Sequence, residues 1–240
     1  MSNDRRNFLA ATGVGALGVA IAPGIRLIEP AQAEAATKVA SNTVRWGMVI
    51  DTNKCLPGCD ACVKACSTEN GIVEKVENPR QGSQWIRKID LKSLKGGVTH
   101  SLPMMCQHCA NPPCVDVCPT GASFKRADGI VLVDRHICIG CRYCMMACPY
   151  KARSFVHQPL TTQNPEVPRG LGCVEACTFC VQRVDKGQKP ACAESCPEGA
   201  MIFGNLVDPN SEISRYVAEV ATTQVRADLK LGTAVRYHGI

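Results

Sequence analysis

Cysteine is the residue type whose number and spacing could do chemistry in this sequence. Seventeen of the 240 residues are cysteine, and they fall into four groups separated by ordinary sequence. The groups are Cys55, Cys59, Cys62 and Cys66; Cys106, Cys109, Cys114 and Cys118; Cys138, Cys141, Cys144 and Cys148; and Cys173, Cys177, Cys180, Cys192 and Cys196. Because an odd number of thiols cannot be satisfied by disulfides alone, zinc sites and iron–sulfur clusters must be considered beside a disulfide framework.

The third group has the spacing of a bacterial ferredoxin. Two residues separate Cys138 from Cys141 and Cys141 from Cys144, three more precede Cys148, and Pro149 follows. In such a run three cysteines hold one 4Fe–4S cluster and the fourth reaches a second cluster. The short gaps let a tight loop wrap the cluster with its N–H groups directed at sulfur, and proline ends the helical turn behind it.

The other groups vary this spacing. The second lengthens one gap to four residues and the fourth carries an eleven-residue insertion, yet both end in Cys-Pro, at Pro119 and Pro197. The first group has an extra residue between Cys55 and Cys59 and ends on Ser67, which makes it the most irregular. Zinc takes two well-separated cysteine pairs, so the pattern of three plus one favours clusters over zinc, disulfides or a radical S-adenosylmethionine triplet.

The elements that must position these cysteines are predicted to be short. Apolar stretches bounded by Gly, Pro or Asp predict strands at 44–50, 85–91, 98–102, 130–133 and 154–157. Helical turns are predicted at 60–65 and 143–147, a surface connection at 160–172, and a tail helix within 211–231. The repeated unit is a strand, a cysteine loop, one or two helical turns, and then Cys-Pro.

The N-terminus has the layout of an export signal. Arg5 and Arg6 precede an apolar run rich in Gly and Ala, and Ala31-Gln32-Ala33 is a small-x-small cleavage site. We predict a twin-arginine signal peptide over residues 1–33, with an uncleaved anchor as the alternative. Such signals resemble those of proteins that take up cofactors before export, which favours metal-bound cysteines in an oxidising periplasm. No later segment holds eighteen uncharged apolar residues, so any membrane association is predicted to come through a partner.

The chain resembles the four-cluster iron–sulfur subunits of the dimethyl sulfoxide reductase, polysulfide reductase and formate dehydrogenase type over residues 44–205. The most specific stretches begin with Cys106-Gln-His-Cys, Cys138-Ile-Gly-Cys and Cys177-Thr-Phe-Cys. The resemblance implies an α+β fold of two bacterial-ferredoxin-like domains, one inserted in the other, with short strands and helices around four 4Fe–4S clusters. Within the family the chain is most similar to the periplasmic iron–sulfur subunit of the sulfite-reductase-associated transmembrane complex.

The resemblance also implies crossed ligation of the four clusters, in which each set draws its fourth cysteine from another group. The sets are Cys55, Cys59, Cys62 and Cys196 (set one); Cys66, Cys177, Cys180 and Cys192 (set two); Cys106, Cys109, Cys114 and Cys148 (set three); and Cys118, Cys138, Cys141 and Cys144 (set four). Sets one and two would lie in an outer domain, 34–97 and 166–205, and sets three and four in an inserted domain, 98–165. Residues 206–240 would form a C-terminal tail.

By this resemblance the protein is a non-catalytic electron-transfer subunit of sulfur-compound metabolism. It would relay single electrons between a quinone-interacting integral membrane subunit and a periplasmic cytochrome c or other redox subunit. A free periplasmic polyferredoxin, an iron-free scaffold, and the equivalent subunit of a nitrite, tetrathionate or polysulfide reductase are the alternatives. No general acid–base pair is evident, and no catalytic residue is predicted.

The basic charge balance does not require a nucleic-acid partner. The formal net charge is +6, and residues 1–33 contribute +1 of it, so the remainder carries 6 − 1 = +5. Four oxidised clusters with their thiolates would each add a charge of about −2 and leave the loaded protein with a net charge of about −3. The basic side chains are therefore predicted to balance the clusters.

Several further side chains have two interpretations. His108, between two ligands, is predicted to pack or hydrogen-bond near a cluster, with ligation as the alternative. Cys173 is predicted to be a spare thiol, because the four sets close without it. Arg142, Arg153 and Arg183 could tune cluster potentials, meet a partner or lie on a solvated face.

Overall fold

The fold is built from short strands, which the computed structural model describes within residues 40–72, 76–92, 97, 99–161 and 163–240. The predicted signal peptide, residues 1–33, lies outside the described residues. The strands are β1 (Trp46–Asp51), β2 (Ile86–Lys92), β3 (Thr99–Met105), β4 (Ser123–Lys125), β5 (Val131–Val133), β6 (Arg153–Phe155), β7 (Val174–Ala176), β8 (Met201–Asn205) and β9 (Val235–His238). All five predicted strands are confirmed to within a few residues.

The helices are equally short. They are α1 (Ala61–Glu69), α2 (Pro113–Asp116), α3 (Tyr143–Ala147), α4 (Val181–Val184), α5 (Ala191–Glu194) and α6 (Glu212–Glu219), with 3₁₀ turns at Pro79–Gln81 and Ala227–Leu229. The prediction at 143–147 is confirmed, and α1 extends four residues beyond the predicted end at residue 65. The described residues of the 160–172 connection contain neither helix nor strand, as predicted.

Strand β1 is the centre of the hydrophobic core. It lies between β8, which is antiparallel to it, and β9, which is parallel. Met48, Val49 and Ile50 are all fully buried, because the two faces of the strand are both covered. Met48 and Ile50 join the main core, whereas Val49 packs with Ile213 of α6. A continuous apolar run is the sequence pattern of such a strand.

The other strands form three antiparallel pairs, β2 with β3, β4 with β5, and β6 with β7. The β4–β5 pair is joined by a turn at Asp128-Gly129, where Gly129 has a φ of +85°. Such a φ is favourable for glycine, because that residue has no Cβ. The pair therefore forms a hairpin whose position is set by local sequence.

Four strands lead directly into the ligand loops. β1, β3, β5 and β7 end just before Cys55, Cys106, Cys138 and Cys177, respectively. Three other strands, β4, β6 and β8, begin after the Cys-Pro steps at Cys118, Cys148 and Cys196. The order of strand, cysteine loop and Cys-Pro step follows the repeated unit, and strand pairing brings distant cysteine loops together.

The C-terminal segment is built into the fold. Residues 206–240 were expected to be a tail with a helix within 211–231, but α6 spans only Glu212–Glu219 and β9 extends the central sheet. Tyr237 of β9 is fully buried, and its hydroxyl donates to the Pro103 carbonyl at 3.1 Å. The helix occupies only the first part of the predicted range, and the four-residue strand was missed because its partner β1 lies far away in sequence.

The described residues from 40 onward belong to one compact unit. The division of this unit into an outer and an inserted domain stays a prediction. No helix among the described residues is both long enough and apolar enough to cross a bilayer.

Candidate metal centres

The structure brings the members of each predicted cysteine set together. Sets one, three and four each line a single cavity to which all four of their cysteines contribute. In set two, Asn70 Nδ2 lies 3.6 Å from the Cys66 sulfur and 3.9 Å from the Cys180 sulfur. Burial raises the pKa of Cys66 and of Cys177, and the nearby Cys192 and Cys180 raise both further. That these sixteen cysteines bind iron remains a prediction.

Strand pairing assembles sets one and four. β1 leads into the first loop and pairs with β8, which begins five residues after Cys196. The same arrangement recurs where β5 leads into the third loop and pairs with β4, five residues after Cys118. In both places a cysteine distant in sequence therefore lies beside three cysteines of one loop.

Helix packing assembles sets two and three. α1 packs against α5, and these helices carry Cys66 and Cys192 of set two. α2 packs against α3, so Cys114 on α2 lies near Cys148, which directly follows α3. α1 also carries Cys62 of set one, one turn before Cys66. Each packed helix pair therefore connects two neighbouring sets.

The ligand loops share one backbone feature. The residue just before the second cysteine of each loop has a positive φ, which is +74° at Gly58, +42° at His108, +70° at Gly140 and +53° at Phe179. A Cβ at Gly140 would lie 2.3 Å from the Gly172 carbonyl oxygen, so a larger residue cannot be accommodated without a shift. Glycine adopts such a φ readily because it has no Cβ, whereas the unusual backbone at the other two positions has no local sequence signal.

Backbone N–H groups are aimed at several of the cysteine sulfurs. Ser123 N donates to Cys118 at 3.4 Å, and Ala200 N donates to Cys196 at 3.3 Å, in both places shortly after the Cys-Pro step. Burial raises the pKa of Cys118, but the N–H of Ser123 and other donors outweigh it and hold the pKa below its ordinary value. In the fourth loop, the backbone N–H of Phe179 points at the Cys177 sulfur, and the two atoms are 3.5 Å apart. Such donors stabilise the negative charge of a cluster.

Buried donors without partners also fit a sulfur-rich group. His108 Nδ1 accepts the Val131 N–H at 3.0 Å, so the ring proton is on Nε2, which has no partner among the described residues. Arg153 Nε and Nη1 are likewise buried without a partner, and Arg153 lines the set-three cavity. Since buried donors cost free energy when unpaired, the inorganic sulfides of a cluster would complete these sites.

The chemistry of the donor set fits clusters better than single ions. Within the described part of the chain, no three His, Cys, Asp or Glu side chains lie close enough together to hold one metal ion. Zinc would require its ligand sulfurs about 2.3 Å from one centre, whereas each cysteine of a cluster binds its own iron. All seventeen cysteines are free. Burial raises the pKa of Cys62 to about 11 and of Cys106 to about 12, so these unloaded groups are thiols that release protons when iron binds.

The four sets follow one another in space from one to four. Burial raises the pKa of Cys192, and nearby Cys62 adds to the effect, which places set one beside set two. Sets two and three meet where the His108 and Phe179 rings stack with centroids 3.8 Å apart. Burial raises the pKa of Cys144 of set four, and the nearby Cys114 of set three adds to the effect, which places set three beside set four.

The side chains with two interpretations have different surroundings in the structure. His108 packs and hydrogen-bonds between the ligand loops, as predicted, and burial lowers its pKa to about 3. Arg183 binds Glu69 with an N–O distance of 3.1 Å. Arg142 is exposed and lies over the Phe155 ring at 4.0 Å. These two arginines therefore have structural partners, whereas Arg153 faces the cysteines.

Cys173 is outside the four predicted sets but lies beside set four, since its sulfur is 4.0 Å from the carbonyl oxygen of Cys138. It also lines a cavity of about 360 Å³ to which no member of any set contributes. Its thiol is directed at the Arg135 carbonyl oxygen, at 3.3 Å. That Cys173 is a spare thiol stays a prediction.

Replacing Cys173 with Ala is expected to leave the iron content per chain unchanged. The matched control is Cys177→Ala, four residues away and within set two, which should abolish one cluster signal in electron paramagnetic resonance (EPR). Both variants are purified without oxygen and assayed for iron, acid-labile sulfide and EPR signals. A loss of about four irons in Cys173→Ala would show that this thiol is a ligand.

Comparisons with known proteins find similar iron–sulfur proteins. Two family models, each described as a 4Fe-4S dicluster domain, match residues 98–206 and 54–122. The Hdr-like menaquinol oxidoreductase iron–sulfur subunit 1 of Archaeoglobus fulgidus is 41% identical, over 97% of each chain. A tetrathionate reductase subunit of Salmonella typhimurium is 37% identical over 89% of this chain and 78% of its own. A sulfite dehydrogenase subunit of Allochromatium vinosum is 38% identical over 72% and 73%, respectively.

Proposed function

The chain belongs to the 4Fe-4S dicluster family, and on that premise we propose that it is a periplasmic, non-catalytic subunit that conducts single electrons through four 4Fe–4S clusters. The sixteen cysteines of sets one to four would hold the clusters in the crossed arrangement. When bound, each cluster supplies a site that gains and loses one electron at a time. The chain itself would hold the four sites in order, exclude water from the inner two and set their potentials.

One observation carries this proposal, namely that the outer sets are open to solvent and the inner sets are closed. All four cysteines of set two and all four of set three are buried. Set four includes the exposed Cys141, and three of the four cysteines in set one are partly exposed, Cys62 being buried. A row that is insulated in the middle and accessible at both ends suits passage between two partners. It does not suit storage of electrons at one site.

Exposed apolar side chains lie at both accessible ends. Ile139 and Tyr143 beside set four are 67% and 54% exposed, and Leu56 beside set one is 50% exposed. Exposed apolar residues grouped around a redox site are typical of surfaces that dock a partner. Each end would therefore meet a different protein.

The names of similar proteins support the choice of partners. One relative is named as a subunit of a menaquinol oxidoreductase, and two others are named for tetrathionate and sulfite. We therefore assign one end to a quinone-interacting integral membrane subunit and the other to a periplasmic cytochrome c or other redox subunit. The setting would be sulfur-compound metabolism, as in the sulfite-reductase-associated transmembrane complex.

Export and assembly can be tested together in the native organism. A tag on the C-terminus should recover the chain from detergent-extracted membranes with an integral membrane protein, and a menaquinol analogue should reduce its clusters. The matched control changes Arg5 and Arg6 to Lys, which should leave the chain in the cytoplasm. Recovery of the iron-loaded chain alone from the soluble periplasm would instead identify a free polyferredoxin. Recovery without iron would identify a scaffold.

A further inference from the structure

Arg153 lies between the two cysteine sets of the predicted inserted domain. Its side chain is 6% exposed, and Nη2 donates to the Cys114 sulfur of set three at 3.1 Å. The same nitrogen donates to Ser123 Oγ at 2.7 Å, and the Ser123 backbone N–H donates to the Cys118 sulfur of set four at 3.4 Å. One guanidinium therefore contacts set three directly and set four through a single serine.

The guanidinium is charged in this position, because arginine keeps its proton in proteins. Cys114, Cys106 and Cys144 are the cysteines whose charge acts on it. These three sulfurs come from both sets. No carboxylate is paired with Arg153 among the described residues, so the neighbouring cysteines are its counter-charges. A buried cation of this kind is expensive unless a negative group completes the site.

We propose that the buried charge of Arg153 raises the reduction potentials of two clusters, the one held by set three and the one held by set four. This inference rests on the proposed function, since it requires both clusters. A buried positive charge stabilises the more negative, reduced state of a nearby cluster, and low solvent screening makes the effect strong. The planar fork of arginine lets one charge serve two sites, while Nε and Nη1 remain available to cluster sulfides.

The other basic groups near the sets do not have this geometry. Lys88 interacts with cysteines of set one alone. Arg45 interacts with a cysteine of set three, but its guanidinium donates to backbone carbonyl oxygens. Arg142 is exposed beside set four, where water screens its charge. Removal of the Arg153 charge would consequently shift the potentials of sets three and four together, whereas sets one and two would be independent of this residue.

The test is a redox titration of the four clusters, followed by EPR, in the complete anaerobically purified chain. In Arg153→Gln, both clusters of sets three and four should become harder to reduce by at least about tenfold, about 59 mV for a one-electron couple. Sets one and two should keep their potentials. The matched control is Arg142→Gln, which removes the same charge from an exposed site and should change each potential by less than this. Unchanged potentials for sets three and four in Arg153→Gln would overturn the proposal.

A second variant decides the matter if Arg153→Gln does not retain its clusters. Arg153→Lys keeps the buried positive charge although it loses the planar fork, so both potentials should stay within about tenfold, about 59 mV, of their original values. If either potential falls by more than this although the charge is kept, the charge of Arg153 is not what raises the potentials and the proposal is overturned. Iron content separates this failure from failure of the proposed function, because an unmodified chain that lacks clusters would overturn the function itself.

Discussion

The double variant Cys114→Ala/Cys148→Ala is expected to lose one cluster, and Cys144→Ala/Cys148→Ala is expected to damage two. Cys114 and Cys148 are far apart in sequence, but both line the set-three cavity. Cys144 and Cys148 belong to one ferredoxin-type run, yet Cys144 lines the set-four cavity. The difference between the two variants is large, because one loses a single cluster whereas the other has two clusters affected.

EPR spectra of the reduced proteins count the clusters that are affected. The first variant should lack one of four signals and about four irons, with the other three signals unchanged. The second should lose or alter two signals, because each of two clusters lacks one ligand. Cys173→Ala serves as the control for removing a cysteine outside the sets. The reverse outcome, with two signals affected in the first variant and one in the second, would refute crossed ligation.

Replacing Phe179 with Ala is expected to lower stability by about 3–5 kcal/mol, the usual cost of deleting a buried aromatic ring. Phe179 is 1% exposed, stacks on His108 at 3.8 Å and contacts the Phe203 ring edge-on at 5.4 Å. The backbone there has a φ of +53°, which alanine does not relieve. The change removes the packing that holds the second and fourth ligand loops against each other.

Thermal bleaching of the clusters' visible absorbance measures this effect. The matched control is Phe124→Ala on β4, where the ring is 37% exposed and its loss should cost less than about 1 kcal/mol. In Phe179→Ala, EPR should show that the clusters of sets two and three are lost before the others on heating. Equal bleaching temperatures for the two variants would contradict a structural role for the stacked rings.

The local elements could be predicted because their signals lie in a few neighbouring residues. The helix Tyr143–Ala147 follows from the ferredoxin run, and the turn at Gly129 follows from Asp-Gly. The cysteine groups were evident from spacing alone. The spacing did not show which groups exchange their fourth cysteine, since the separation of Cys118 from Cys138 or of Cys66 from Cys177 carries no contact information. That pairing was inferred through a family resemblance, and the structure brings the same cysteines together.

What the sequence did not reveal depends on contacts between distant residues. Strand β9 has four residues and is specified by its parallel pairing with β1. His108 and Phe179 occupy equivalent positions in two loops, but nothing local indicates that their rings meet. The burial of Arg153 among sulfurs is equally non-local, so its sequence context allowed a solvated face as readily as a cluster site.

The central claim is that sixteen of the seventeen cysteines hold four 4Fe–4S clusters. The most direct measurement is iron and acid-labile sulfide per chain after anaerobic purification. About sixteen irons and about sixteen sulfides are expected, which corresponds to four clusters of four each. Zinc without sulfide, or no metal at all, would contradict the account.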